Sequence, residues 1–186
     1  MRYPKTCDPT ICAAAEVTRY AIRGVAVVQH DGKTFLAATD GRKLSMVLAT
    51  PEGDDHASGI YPVDAFVAAK RKTFRKTPEV SLSLNGKAVV RSTDSTQEFP
   101  AMEGRFLDVA NVIPTREPVL FRFSLNAEFL AQLAKATGSE CGGVELTIRD
   151  FGDGKPDSGP IEVRPIVAGQ TVDNASFGII MPIERK

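Results

Sequence analysis

Cysteine is scarce here: Cys7, Cys12 and Cys141 are the only three in 186 residues. An odd count with no sign of export argues against a disulfide-stapled scaffold and predicts reduced, partly buried thiols. Cys7 and Cys12 with His30 or His56 could be posed as a zinc site, but their spacing is wrong for a knuckle and no second cysteine pair exists. Long apolar runs are also missing. Apolar residues make up 42% of the chain, yet no stretch approaches the roughly 18 residues that span a bilayer. The opening MRYPKTCDPTICAAAEVTRY carries no continuous apolar segment of the kind a secretory signal needs. The expectation is a soluble, cytoplasmic protein with no membrane partner. Net charge is absent too: Lys plus Arg and Asp plus Glu number 23 each, so any basic surface must be local.

Catalytic signatures are equally sparse. There is no GxSxG and no HExxH, and the two histidines, His30 and His56, fall in polar loops. Gly152-Asp153-Gly154-Lys155 has the start of a phosphate loop, but Pro156 stands where Ser or Thr is needed and no helix begins there. The surrounding FGDGKPDSGP is rich in turn-formers and reads as a hairpin loop, and it does not match a calcium loop. Glu98 and Glu103 could be posed as an acid–base pair, but without a pocket signal they read as solvated surface charge. The expectation is no catalytic residue, no metal and no cofactor.

What is present is strand after strand. Residues 20–29 read as a strand, His30-Asp31-Gly32-Lys33 as its turn and residues 34–39 as the return. Asp40-Gly41 marks another turn, because Gly accepts positive φ and Asp bonds its own backbone. Residues 43–49 follow as a third strand, with Leu44, Met46 and Leu48 on one face. A short strand at 59–61 leads into a helix starting near Pro62, with Val63, Phe66 and Val67 as its apolar stripe. Asp64 near its start and Lys70, Arg71 and Lys72 at its end suit the helix dipole. Residues 80–84 and 87–92 flank Asn85-Gly86 as a hairpin, and 96–102 is a weaker strand because of Pro100. The second part opens with an alternating strand at 119–125. Asn126 then caps a helix carrying Phe129, Leu130 and Leu133 and closing near Gly138. Strands at 144–149, 160–167 and 177–183 complete it. A brief Ala-rich helix over 9–17 is a further reading. The order βαβββ therefore occurs twice, at 59–102 and 119–183, after a three-strand block, a weak internal repeat. The fold class is α+β with mainly antiparallel sheets and few helices; successive hairpins argue against a doubly wound nucleotide-binding fold.

Four segments, in chain order, resemble the bacterial DNA polymerase III beta sliding clamp. TRYAIRGV at 18–25 resembles a clamp middle-domain strand of form TRYxLNGV. ATDGRKL at 38–44 resembles ATDGHRL, departing at Arg42 and Lys43. EGRFLDVANVIP at 103–114 resembles DGRFPDYxxVLP, with Leu107 replacing proline. IIMPI at 179–183 resembles the C-terminal VMPMR-type strand. The resemblance implies a DNA-clamp-like fold of repeated βαβββ units in an abbreviated form. Residues 1–114 would correspond to a middle-like domain whose first half has lost its opening strand and most of its helix. Residues 115–186 would correspond to a single half of the last domain, and the first of the family's three domains has no counterpart.

By function, the resemblance implies a processivity protein for DNA replication. A pocket for polymerase or clamp-loader peptides would be formed by Ile22, Thr39, Gly41, Leu44, Leu107, Val112, Ile179 and Met181, with Lys43 at its rim. Branched aliphatics and Met suit such a ligand by area burial. From strand pattern alone, Ile22, Leu44, Val112 and Ile179 read instead as core. The resemblance also implies that Lys70, Arg71, Lys72, Arg75 and Lys76 face double-stranded DNA, held by charge without base readout; the plainer reading is a solvated, dipole-favoured helix end. The departures from the family leave three expectations for assembly: a homo-oligomeric ring of more copies, pairing through exposed sheet edges, or a monomer. The rival expectation is an interaction or regulatory module that binds the same partners without encircling DNA; an unrecognised hydrolase is a third.

Overall fold

A computed structural model describes residues 1–15, 21–53, 58–113, 124–139, 142–149, 159–167, 170–171 and 177–182. They belong to two compact units, Met1–Thr115 and Arg116–Lys186. The start of the TRYAIRGV motif (18–20), His56, the strand expected at 119–123, Cys141, most of the FGDGKPDSGP loop (151–158) and Ile183 lie outside the described residues.

In the first unit, β1 (Arg2–Pro4), β2 (Gly24–His30), β3 (Lys33–Thr39), β4 (Leu44–Ala49) and β5 (Ile60–Pro62) precede α1 (Val63–Lys72). After it come β6 (Glu79–Ser81), β7 (Ser83–Leu84), β8 (Lys87–Arg91) and β9 (Thr96–Pro100). The β2–β3 hairpin closes on Asp31 and Gly32, both at positive φ, with His30 paired to Lys33. That is the two-residue turn whose twist matches the flanking strands. The Asn85-Gly86 turn is wider than its dipeptide suggests. Leu84 pairs with Ala88, so three residues form the loop and only Gly86 is left-handed.

Strand pairing in this unit is antiparallel throughout the described residues. It gives a sheet of order β4-β3-β2-β5, another of order β7-β8-β9, and the pair β1-β6. Single bridges join them, Arg2 to Thr50 beside β4 and Ile60 to Met102 beyond β9. Since β6 and β7 are one run of chain interrupted at Leu82, the pairings and bridges run in a circuit, and α1 packs against β5, β6, β8 and β9. Leu82 itself donates its N–H to Met1 O instead of continuing either ladder. Pro100 costs little, because β9 ends its sheet and Pro need not donate to a ladder there.

The core lies inside this circuit. Val25 and Val27 of β2, Leu36 and Ala38 of β3 and Ala49 of β4 meet Tyr3, Tyr61, Phe66, Val80, Leu84 and Val90. Two expectations shift here. Leu44, Met46 and Leu48 do share a face, but it is the one turned away from this core; Ala49, with Val47 packed against the cluster, supplies β4's contribution. On α1 the buried stripe is Ala65, Phe66 and Ala69, with Val63 and Val67 only half-buried. On the outer sheet face, Ala26 and Ile60 are covered by Met102 and Phe106. Gly24 is required there: a Cβ on it would lie 2.6 Å from Ile60 Cγ2 and 2.8 Å from Met102 Sδ.

The unit opens on β1, which pairs with β6. Residues 5–13 run through turns, so the brief helix expected over 9–17 does not form in its described part. A 3₁₀ turn, Ala21–Arg23, stands where the strand beginning at 20 was expected.

The second unit has α2 (Ala127–Ala136), β10 (Val144–Ile148), β11 (Ile161–Val167), β12 (Gln170–Thr171) and β13 (Gly178–Ile180). Asn126 caps α2 as its residue type demands, its Oδ1 accepting from the N–H groups of Glu128 at 2.9 Å and Phe129 at 3.4 Å. Gly138 follows the helix at φ +84°. β11 pairs with both β10 and β13, and the two-residue β12 folds back on its end. Ile161, Val163 and Ile180 form the core against Leu125, Leu130 and Leu133. Among the described residues, no helix is long and apolar enough to cross a membrane.

Candidate functional site

The turn between β3 and β4 is built by side chains. Thr39 is buried, and its hydroxyl donates to Lys43 O at 2.7 Å while accepting from Gly41 N–H at 3.0 Å. Asp40 Oδ1 accepts from the N–H groups of Arg42 and Lys43, and Oδ2 pairs with Lys43 Nζ at 2.6 Å. Gly41 takes φ +86° with open space about it. The Lys43 contact and the two backbone donors hold the Asp40 carboxyl well below the usual carboxylate range, and Asp40 in turn raises Lys43. The turn is thus fixed at both ends, and it sets Leu44 at the first position of β4, half-buried.

A second local device places Val112. Asp108 Oδ1 accepts from Ala110 N–H at 3.1 Å and its Oδ2 from Asn111 Nδ2, capping a 3₁₀ turn at Val109–Asn111. Val109 is buried beneath, whereas Val112, just past the turn, is more than half exposed. Leu107 is half-buried. Ile22 sits in the Ala21–Arg23 turn and is half-buried, so neither it nor Val112 lies on a strand, as pattern alone suggests.

In the second unit, Ile179 is on β13 and Met181 just beyond it, both more than half exposed. They do not stand alone. Phe129 and Leu133 of α2 line the same depression of about 540 Å³, with Gln132 and Ala136 at its side. Helix and strand approach this closely because residue 178 is glycine: a Cβ there would meet Leu133 Cδ2 at 2.6 Å. Phe129 is itself more than half exposed. The sequence signal for it was only an apolar residue on a helical stripe.

Of the nine pocket candidates, only Thr39 is buried. Ile22, Leu44 and Leu107 are half-buried, and Val112, Ile179 and Met181 are exposed, so Val112 and Ile179 are not core residues of their units. Gly41 and Lys43 are exposed at the turn. The first seven belong to one unit and the last two to the other.

The basic cluster divides into two kinds. Lys70 is tied to Asp8 at 3.1 Å, and Lys72 Nζ donates to Ser95 Oγ at 3.0 Å. Arg71, Arg75 and Lys76 are exposed and make no ion pair among the described residues. The carbonyls at the end of α1 are capped from elsewhere, Lys5 Nζ donating to Thr73 O at 3.3 Å and Phe74 O at 2.9 Å. Among the described residues, no group of three or more His, Cys, Asp or Glu is gathered as a metal ion would need.

No family model and no curated protein matches the sequence. Solved structures do. The DNA polymerase sliding clamp of Pseudomonas aeruginosa superposes with a TM-score of 0.69 at 16% identity, over 98% of this chain and 50% of that one. The DNA polymerase III beta clamp of Bartonella birtlesii, solved with griselimycin bound, gives 0.68 at 19% identity, over 100% and 51%. The beta sliding clamp of C. crescentus gives 0.68 at 20% identity, over 98% and 50%. The chain spans about half the length of these clamps, and across that span it has the sliding-clamp fold.

Proposed function

We propose that this protein is a clamp-like DNA replication accessory of the cytoplasm, without catalytic residues, that contacts duplex DNA by charge and binds short peptides of polymerases or clamp loaders. The observation that carries this reading is the exposure of aliphatic side chains at the family's pocket positions. Val112, Ile179 and Met181 stand in solvent although nearby positions of the same chain are fully buried. Covering one such side chain contributes about 1.5–3 kcal/mol, so two or three of them supply a substantial part of the roughly 8 kcal/mol that micromolar binding represents. Phe129 and Leu133 extend the apolar lining that Ile179 and Met181 offer, and Met adapts to ligands of different shape.

Peptide titration tests this. A synthetic peptide carrying a clamp-binding motif is expected to bind the wild type, and Met181→Asp is expected to weaken it at least a hundredfold. The substitution removes apolar area and leaves a carboxylate to be desolvated. Equal binding by Met181→Asp would remove the pocket. Griselimycin, bound in the Bartonella structure, serves as a second probe.

The DNA contact rests on Arg71, Lys72, Arg75 and Lys76. Lys70 contributes less in this reading because Asp8 already neutralises it. Four released counterions correspond to a slope of about −3.6 in log affinity against log salt.

A further inference from the structure

Beside the end of α1, a trough of about 330 Å³ opens within the first unit. Apolar Ala69 and Val90 line it together with the hydroxyl residues Thr77 and Thr93 and one carboxylate, Glu79, which Arg2 approaches. Lys72 and Arg91 border it, and Phe74 stands on its lip, 76% exposed. A second depression of about 290 Å³ borders Ser81 and Arg91 too, on the Val89 face of β8. Arg91 has no ion pair among the described residues.

The carboxylates nearby are mostly spoken for. Glu79 lies 3.4 Å from Arg2 Nη1, and Glu52 lies 2.8 Å from Arg2 Nε and 3.7 Å from the Met1 amino group. Asp94 is exposed in the β8–β9 turn, and the cations Lys72 and Arg91 border the trough itself. The local balance is cationic although the chain as a whole is neutral.

An exposed aromatic ring among unpaired cations, over a hydroxyl-lined trough, has a specific use. Duplex DNA keeps its bases stacked inside and offers Phe74 nothing. A single strand offers a base face to the ring and phosphates to the cations and hydroxyls. We infer that this trough binds single-stranded DNA, with one base stacked on Phe74 and the adjoining phosphates held by Arg91 and Lys72. This rests on the reading of the α1 end as a DNA-contacting surface and adds a strand-state preference to it. A protein so equipped holds primer–template ends, where duplex gives way to single strand, more firmly than uninterrupted duplex.

The test is fluorescence anisotropy of the full chain with a labelled 20-nucleotide oligothymidylate and, separately, a labelled 20-base-pair duplex. Phe74→Ala is expected to weaken the single strand roughly tenfold and to leave the duplex within twofold, and Phe74→Trp is expected to restore the loss. Arg91→Ala is expected to weaken the single strand and lower its salt dependence. Thermal melts establish that the variants are folded. No binding of the oligothymidylate, or a Phe74→Ala variant that binds it as the wild type does, overturns the inference; salt-dependent duplex binding in the same experiment leaves the duplex reading intact. Absent duplex binding with Phe74-dependent single-strand binding retires the duplex reading instead and retains this one.

Discussion

Single residues here carry more than their type announces. Tyr3 is fully buried, its ring 6.4 Å from that of Phe66, and its hydroxyl has no hydrogen-bond partner among the described groups. Burial, with the nearby Asp8 carboxylate adding to it, pushes that hydroxyl's pKa above its ordinary value. An unmet buried hydroxyl costs about 1–3 kcal/mol, so Tyr3→Phe is expected to raise stability by about 1 kcal/mol, read from the urea midpoint at unchanged slope. A loss of stability would mean that the hydroxyl is satisfied. Asp40 gives a pH prediction. Its folded pKa lies below the unfolded value, so its contribution is present above the ordinary carboxylate pKa and is lost only as pH falls through the depressed folded value. Following the Asp40 carboxyl carbon by NMR, the β3–β4 turn is expected to stay ionised and intact at pH 3. A midpoint near 4 would show that the Lys43 and backbone contacts do not persist in solution.

Local chemistry made some elements legible and left others hidden. The His30–Lys33 turn, the Asn126 cap and the Asp40-Gly41 turn are each determined within four residues, and the structure contains all three. β1 was not legible, because Arg2–Pro4 is three residues with no alternation and its partner, β6, is more than seventy positions away. The outward face of β4 was half legible. Period two places Leu44, Met46 and Leu48 together, but which side the core occupies is decided by pairing with β3. At this scale Gly178→Ala is the informative change. A Cβ colliding with Leu133 Cδ2 is expected to cost about 1–3 kcal/mol by overpacking and to spread α2 from β13. Peptide binding at the Ile179–Met181 depression should fall with it. If stability is unchanged, the close approach of helix and strand is not what shapes that depression.

For the whole molecule, the account is of two compact units with the clamp fold, about half the length of the clamps they superpose on. Duplex binding provides one test: between 50 and 200 mM salt, affinity is expected to fall by about two orders of magnitude. Arg75→Ala should flatten that dependence and Lys70→Ala should not. Mass in solution separates the two functional readings. A closed symmetric oligomer fits a protein that encircles DNA, and a monomer that still binds the peptide fits the rival module that engages the same partners without a ring.

The central claim, that the surface aliphatics at the matched positions are a ligand-binding surface, is tested most directly by methyl NMR during titration with the clamp-binding peptide. The account predicts that the methyls of Ile22, Leu44, Val112, Ile179 and Met181 shift, while the core methyls of Val80 and Val90 stay in place. Saturating peptide that leaves those five methyls unmoved would contradict it.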